Sequence, residues 1–287
     1  MRKNIFFIFL LFQSVLLFGQ SFNFFNENLF AELDKIFNKE EELVTSLDEY
    51  YLGRAVAANI LGSYELYTQN QELQNYLNLI CKALVINSSY PPPYNGYFVM
   101  ILNSPTLNAF ATSGGHIFLT KGFIDAAPSE DALAAIIAHE LSHIMLKHGI
   151  NIINEMKINE EIDIIARRAG SFSNNNNQVV FSFRDSVNEM FYILTRNGYS
   201  VAQEYEADIT AINLLNSAGY NRKALLDILN ILQKSQRNQK IDLNSTHPEP
   251  QQRISNIERK FPLINRTVSN NTARMNRFNR IMGRRSN

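Results

Sequence analysis

His139, Glu140 and His143 stand in the order His-Glu-x-x-His within IIAHELSHIMLKH, residues 136–148. On an α-helix, at about 100° per residue, the two histidines lie ~40° apart and one turn from each other, so both imidazoles can reach one metal ion. Glu140 lies ~100° round from His139, beside such an ion rather than on it. A carboxylate there suits a general base that takes a proton from water attacking a polarised carbonyl. Ala134, Ile137, Leu141, Ile144 and Met145 make the helix apolar nearly all round, which predicts burial. Two histidines and a glutamate in a buried helix are costly unless something satisfies them, and a metal does so directly.

A catalytic zinc site requires a third protein ligand and one open position. His148, nine residues after His139, is expected to point ~180° away on a straight helix and to miss the ion. Metzincins place a glycine and then a third histidine at the positions held here by Leu146 and Gly149, so that class is excluded. GYSVAQEYEADITAINLL offers better candidates. Glu204 and Asp208 are four apart and share a helical face, whereas Glu206 is expected on the other side. Glu204 can complete the metal site, and Asp208 can hold a ligand histidine through its second ring nitrogen, fixing the tautomer.

The elements that must position these groups are legible in outline. From Asn26 to about Ile86 apolar residues recur at helical spacing, giving two or three helices before the proline-rich break SSYPPPYNG. YFVMILN (97–103), LNAFATS (107–113) and HIFLTKGF (116–123) read as strands, with Gly114-Gly115 as a tight hairpin turn. A small antiparallel sheet is therefore expected beside the histidine helix. That helix is expected to start at the Ser129 cap, with Glu130 and Asp131 in its first turn, and to run to about His148. INEMKINEEIDIIARRA reads as an amphipathic helix and SFSNNNNQ (171–178) as a polar loop; helical patterns resume near Asp185 and continue, broken near Gly198, to about Gln233.

Composition bounds the rest. The 287 residues are 45% hydrophobic with a formal net charge of zero, so no global field draws the chain to nucleic acid. MRKNIFFIFLLFQSVLLFGQ has the basic start and apolar run of a secretory signal peptide with cleavage after Gly19, which predicts an exported, periplasmic or secreted protein. Cys81 is the single cysteine; its apolar neighbours predict a buried core thiol.

NAFATSGGHIFLTKGFI, SEDALAAIIAHELSHIMLKH, EYEAD and THPEPQQRI, in that order, resemble the HtpX-like zinc metallopeptidases, which are gluzincins, and among them the soluble, exported BepA-type branch. The resemblance spans roughly residues 52–257. It implies one zinc ion held by His139, His143 and Glu204, Glu140 as general base, Asp208 behind a ligand histidine, and substrate bound by strand addition along Asn108, Ala109, Phe110, Ala111, Thr112 and Ser113. It also places His247 near the metal, with Arg253 nearby. His247 then has two readings: a ligand that fills the open position and keeps the enzyme latent, or a donor to the oxyanion. The chain departs from the family at Thr112-Ser113, where a proline is frequent, and at Val201, where an arginine is common.

The expectation is a mainly helical α+β metallopeptidase: signal peptide 1–19, metallopeptidase domain 20–258 and a basic C-terminal tail 259–287. It would cleave unfolded or misassembled cell-envelope proteins by metal-activated water. A client-binding chaperone or assembly factor with little proteolysis is the alternative. Within the tail, Met275, Phe278, Ile281 and Met282 fall at helical spacing beside five arginines, the pattern of a basic amphipathic helix able to meet an anionic membrane or a protein partner.

Overall fold

The computed structural model describes residues 46–86, 88–156, 183–237, 247, 250–264 and 271–284. The expected signal segment, the 171–178 loop and the amphipathic run beyond residue 156 lie outside the described residues. Those described belong to one compact unit, residues 43–157 and 180–287.

Among the described residues two helices come first, α1 (Ser46–Ser63) and α2 (Gln71–Val85). Asn70 caps α2 by accepting from the Leu73 amide, satisfying one of the first-turn donors. Three strands follow, β1 (Phe98–Leu102), β2 (Ala109–Ala111) and β3 (His116–Thr120), in the spatial order β1-β3-β2. The sheet is mixed where an antiparallel one was expected: β2 pairs antiparallel with β3, but β1 runs parallel to β3. Placing β3 in the centre leaves β2 at an edge. The tight turn before β3 is as expected, with the Gly115 amide donating to the Thr112 carbonyl.

Side chains alternate across the sheet, as the two-residue period of a strand requires. Ile117 and Leu119, with Ala109 and Ala111, face one core; Phe118 and Phe110 face the other. Both faces are covered. One core holds α2, the histidine helix and later helices, and the other holds α1 residues Leu52, Val56 and Ile60.

A short α3 (Lys121–Ala126) leads to the histidine helix α4 (Glu130–Met145), capped by Ser129 through the Ala132 amide as expected. This helix stops before His148. Leu146 closes it, Lys147 takes a left-handed backbone (φ 55°), and a new helix, α5, occupies 148–156. After α6 (Phe183–Tyr192) comes a π-helical turn at Ile193–Asn197, ended by Gly198 with φ 70°. Then follow α7 (Val201–Ser217), α8 (Ala224–Arg237), α9 (Pro250–Lys260) and α10 (Thr272–Ile281). A reciprocal capping box of Ser200 and Gln203 starts α7. Within the segment expected as a basic tail, α10 enters the core through Phe278, which is 2% exposed. Cys81 is buried in the same core, which pushes its thiol up to about 12.

Candidate active site

Helices α4 and α7 pack against each other and supply opposite walls of one polar cluster. From α4, His139 and His143 turn their rings to a common point, with their Nε2 atoms 3.2 Å apart. From α7, the Glu204 carboxylate meets them there, its oxygens 3.4 Å from His139 Nε2 and 3.5 Å from His143 Nε2. His247 joins from the chain before α9, its Nδ1 2.7 Å from Glu204 Oε1. One ligand atom from each of these four residues lies within 4.8 Å of every other.

This donor set fits a metal ion. Two imidazole nitrogens aimed at each other need either a shared proton or a cation between them. Glu204 Oε2 is fully buried with no well-formed hydrogen bond; what it has are ion-pair approaches, to Arg253 Nη1 at 3.1 Å and to His139 Nε2 at 3.4 Å. Histidine nitrogens with one carboxylate suit zinc.

Asp208, one turn after Glu204 on α7, sits behind His139, its Oδ1 3.1 Å from Nδ1. Arg253 of α9 binds the same carboxylate from the other side, Nε to Oδ2 at 2.9 Å and Nη2 to Oδ1 at 2.5 Å. Burial raises the Asp208 carboxyl, but the Arg253 guanidinium and His139 outweigh it and hold the group below its usual range. Glu204 is likewise lowered well below its usual value: His247 and Arg253 overcome the cost of burial. For His139, burial and Arg253 push downward, and the two carboxylates push further upward, to about 9. Glu140 is only 4% exposed, and burial raises its carboxyl above the ordinary value.

His148 does not point away. The break at Lys147 swings it back, so that its Nδ1 is 2.9 Å from His143 Nδ1, while its Nε2 is 3.4 Å from Glu206 Oε2. Glu206, expected on the far side, thus reaches the site at second hand. His148 is outside the four-residue candidate metal set, but it hydrogen-bonds a ring that is inside it. Tyr199 stacks on His143, 4.2 Å between ring centroids and 14° between planes. Neither His148 nor Tyr199 emerges from a straight-helix reading; the histidine five residues after His143 was the one available signal.

Residues Asn108 to Ser113 are buried beside α4. Thr120 N donates to Asn108 O, and Thr112 N donates to His116 O. In an antiparallel ladder the alternate residues therefore turn their backbone groups away from β3, which here means Ala109 and Ala111. The Asn108 side chain occupies the outward amide of Ala109. His116 lies on the far side of this turn, against Thr112 Oγ1, away from the cluster of four.

Residues 70–260 match the family described as Peptidase family M48. Among similar curated proteins, Mitochondrial metalloendopeptidase OMA1 of Schizosaccharomyces pombe is 26% identical over 164 residues, 56% of this chain and 46% of that protein. The Beta-barrel assembly-enhancing protease of Escherichia coli strain K12 is 23% identical over 199 residues, 66% of this chain and 39% of that one. The Yersinia pestis protein of the same name is 23% identical over 201 residues, again covering 66% and 39%. The chain spans less than half the length of these relatives.

Proposed function

The chain belongs to peptidase family M48, and from that premise we propose that it is a zinc-dependent endopeptidase acting on unfolded or misassembled cell-envelope proteins. The observation that carries the reading is the convergence of His139, His143 and Glu204 with Glu140 buried beside them. A zinc ion held by those three residues supplies Lewis acidity at the site.

The chain's own residues do the proton work. Glu140 accepts a proton from water as the water oxygen attacks the carbonyl carbon, and returns it to the amine as the C–N bond breaks. Asp208 keeps His139 in the tautomer that presents Nε2, and Arg253 keeps Asp208 ionised. His247, 2.7 Å from Glu204 and within the same candidate donor set, would either compete with substrate and water and keep the enzyme latent or donate to the oxyanion.

The envelope substrates and an export route with cleavage after Gly19 rest on the resemblance and on relatives named for β-barrel assembly. No helix among the described residues is long and apolar enough to cross a membrane. The test is casein cleavage by the purified protein, with Glu140→Gln, His247→Ala and chelator controls. Cutting should fall by about 10²–10⁴-fold in Glu140→Gln, which keeps its zinc, and vanish with chelator. His247→Ala should cut faster than wild type; slower cutting would make His247 an oxyanion donor instead. Zinc-loaded protein that binds unfolded clients and never cuts them, with or without His247, would replace the peptidase by a chaperone.

A further inference from the structure

We propose that His148 is a positioning residue for the metal ligand His143, and that Glu206 behind it sets the order of protons along a His143–His148–Glu206 chain. This inference rests on the metal-site part of the reading above and not on proteolysis. His143 Nδ1 and His148 Nδ1 are 2.9 Å apart, and both residues are buried, 1% and 2% exposed. A neutral imidazole carries one proton, so a hydrogen bond between two Nδ1 atoms needs one ring to donate and the other to accept. His143 offers Nε2 to an ion only if that nitrogen is bare, which places its proton on Nδ1 and makes it the donor. His148 Nδ1 is then the acceptor. Its own proton lies on Nε2, the nitrogen 3.4 Å from Glu206 Oε2. An ionised carboxylate accepts and cannot donate, so each link of the chain agrees with the next.

The two histidines of α4 are thus backed differently. Asp208 meets His139 Nδ1 directly at 3.1 Å, from a side chain that is 0% exposed. His143 reaches a carboxylate only through a second histidine, and that carboxylate, Glu206, is 65% exposed. The interposed ring is in place because α4 stops at Leu146 and His148 opens α5. Gln203 donates from Nε2 to the His148 carbonyl at 3.4 Å, tying this restart to α7, the helix that carries Glu206. Tyr199 stacks on the His143 ring with 4.2 Å between centroids, which holds the plane of the ring but not its rotation within that plane. The Nδ1 hydrogen bond supplies the missing direction and turns Nε2 towards Glu204. An outer partner of a ligand histidine is worth about 10- to 100-fold in metal affinity. Glu206, screened by water, should contribute less, about fivefold at most.

The experiment measures the zinc affinity of the full-length protein by competition with a chromophoric chelator, beside nitrogen NMR spectra of the zinc-loaded protein with its histidines isotopically labelled. His148→Asn puts an acceptor oxygen where Nδ1 stood and loses the ring; His148→Phe keeps a ring and loses the acceptor. Affinity should fall about 10- to 100-fold in His148→Phe and clearly less in His148→Asn. Glu206→Met should lower it by about fivefold at most and leave the melting temperature of the metal-free protein where it was. In wild type the spectra should show a protonated Nδ1 on His143, and a bare Nδ1 with a protonated Nε2 on His148. Packing of the ring alone predicts the opposite ranking of the two His148 variants. Zinc held by a folded His148→Phe as tightly as by wild type, a His148→Asn loss as large as that of His148→Phe, or the reverse proton order would each overturn the proposal. Should neither variant fold, the wild-type proton order decides by itself. Casein cleavage is read separately: zinc-loaded protein that never cuts would end the peptidase reading and leave the proton chain standing, whereas a chain that binds no zinc would end both.

Discussion

Asp208 and Arg253 form a buried ion pair whose worth lies in what it leaves behind when broken. The guanidinium is 4% exposed and the carboxylate 0%. Removing one partner strands the other charge away from water, a loss of about 3–5 kcal/mol. Arg253→Met, which keeps the stem and deletes the charge, should lower the stability of the metal-free protein by that amount in urea titrations. The pH dependence follows from the same pair. Asp208 and Glu204 have folded pKa values below their unfolded ones, so the folded state binds fewer protons. Their stabilisation is complete above the unfolded value of about 4 and is lost as pH falls through the folded values below it. Metal-free wild type should therefore lose stability on acidification below about pH 4, and Arg253→Met should lose less over that window.

The helix break at Lys147 decides which histidines meet. A continuous helix would carry His148 to the opposite side; instead a single residue at φ 55° restarts the chain as α5 and returns the ring to His143. Left-handed backbone costs an L residue about 1–2 kcal/mol, and more for a β-branched side chain, so this turn is held by its surroundings. Lys147 also lies 3.5 Å from Glu49 of α1. Lys147→Val should destabilise the fold by at least about 1–2 kcal/mol and weaken zinc binding, because His143 loses its orienting neighbour. Unchanged zinc affinity in a folded Lys147→Val protein would show that His148 does not position His143. A second close fit lies on the other face of the sheet. A Cβ on Gly53 of α1 would stand 2.0 Å from the Gly114 backbone nitrogen, so helix and hairpin turn touch backbone to backbone.

Across the whole molecule the C-terminal helix closes over the start of the active-site helix. Arg277 donates to Glu130 from Nε at 2.7 Å, and Tyr76 and Tyr220 donate to the same carboxylate. Arg274 binds Asp131 at 2.7 Å, and Arg280 pairs with Glu72 of α2. Glu130 and Asp131 favour the positive end of the α4 dipole, and α10 supplies their counter-charges. Of the tail's arginines, Arg274, Arg277, Arg280 and Arg284 each have a partner within the chain, and Phe278 anchors their helix in the core. Phe278→Ala should cost about 3–5 kcal/mol and reduce the protection that zinc gives against unfolding, since it loosens the helix carrying His139 and His143. Zinc at about a thousand times its dissociation constant should add about 4 kcal/mol to wild type, read as a melting-temperature drop on chelation. A full zinc-dependent shift in Phe278→Ala would show that α10 does not support the site.

Local rules carried much of this protein into its sequence. His-Glu-x-x-His has a meaning at 3.6 residues per turn that no partner is needed to supply, and the i, i+4 spacing puts Glu204 and Asp208 on one face equally well. The Ser129 cap, the Gly-Gly turn and the buried Cys81 are also decided within a few residues. Tertiary structure decided what depends on contacts between distant segments. The parallel pairing of β1 with β3 needs the intervening β2 to fold outward, which no strand pattern encodes. The return of His148 depends on one backbone angle at a lysine, a residue with no preference for it. The pairing of Arg274 and Arg277 with acids 143 and 147 residues away was decided by the fold, because a charge pattern in sequence does not say where its counter-charges lie.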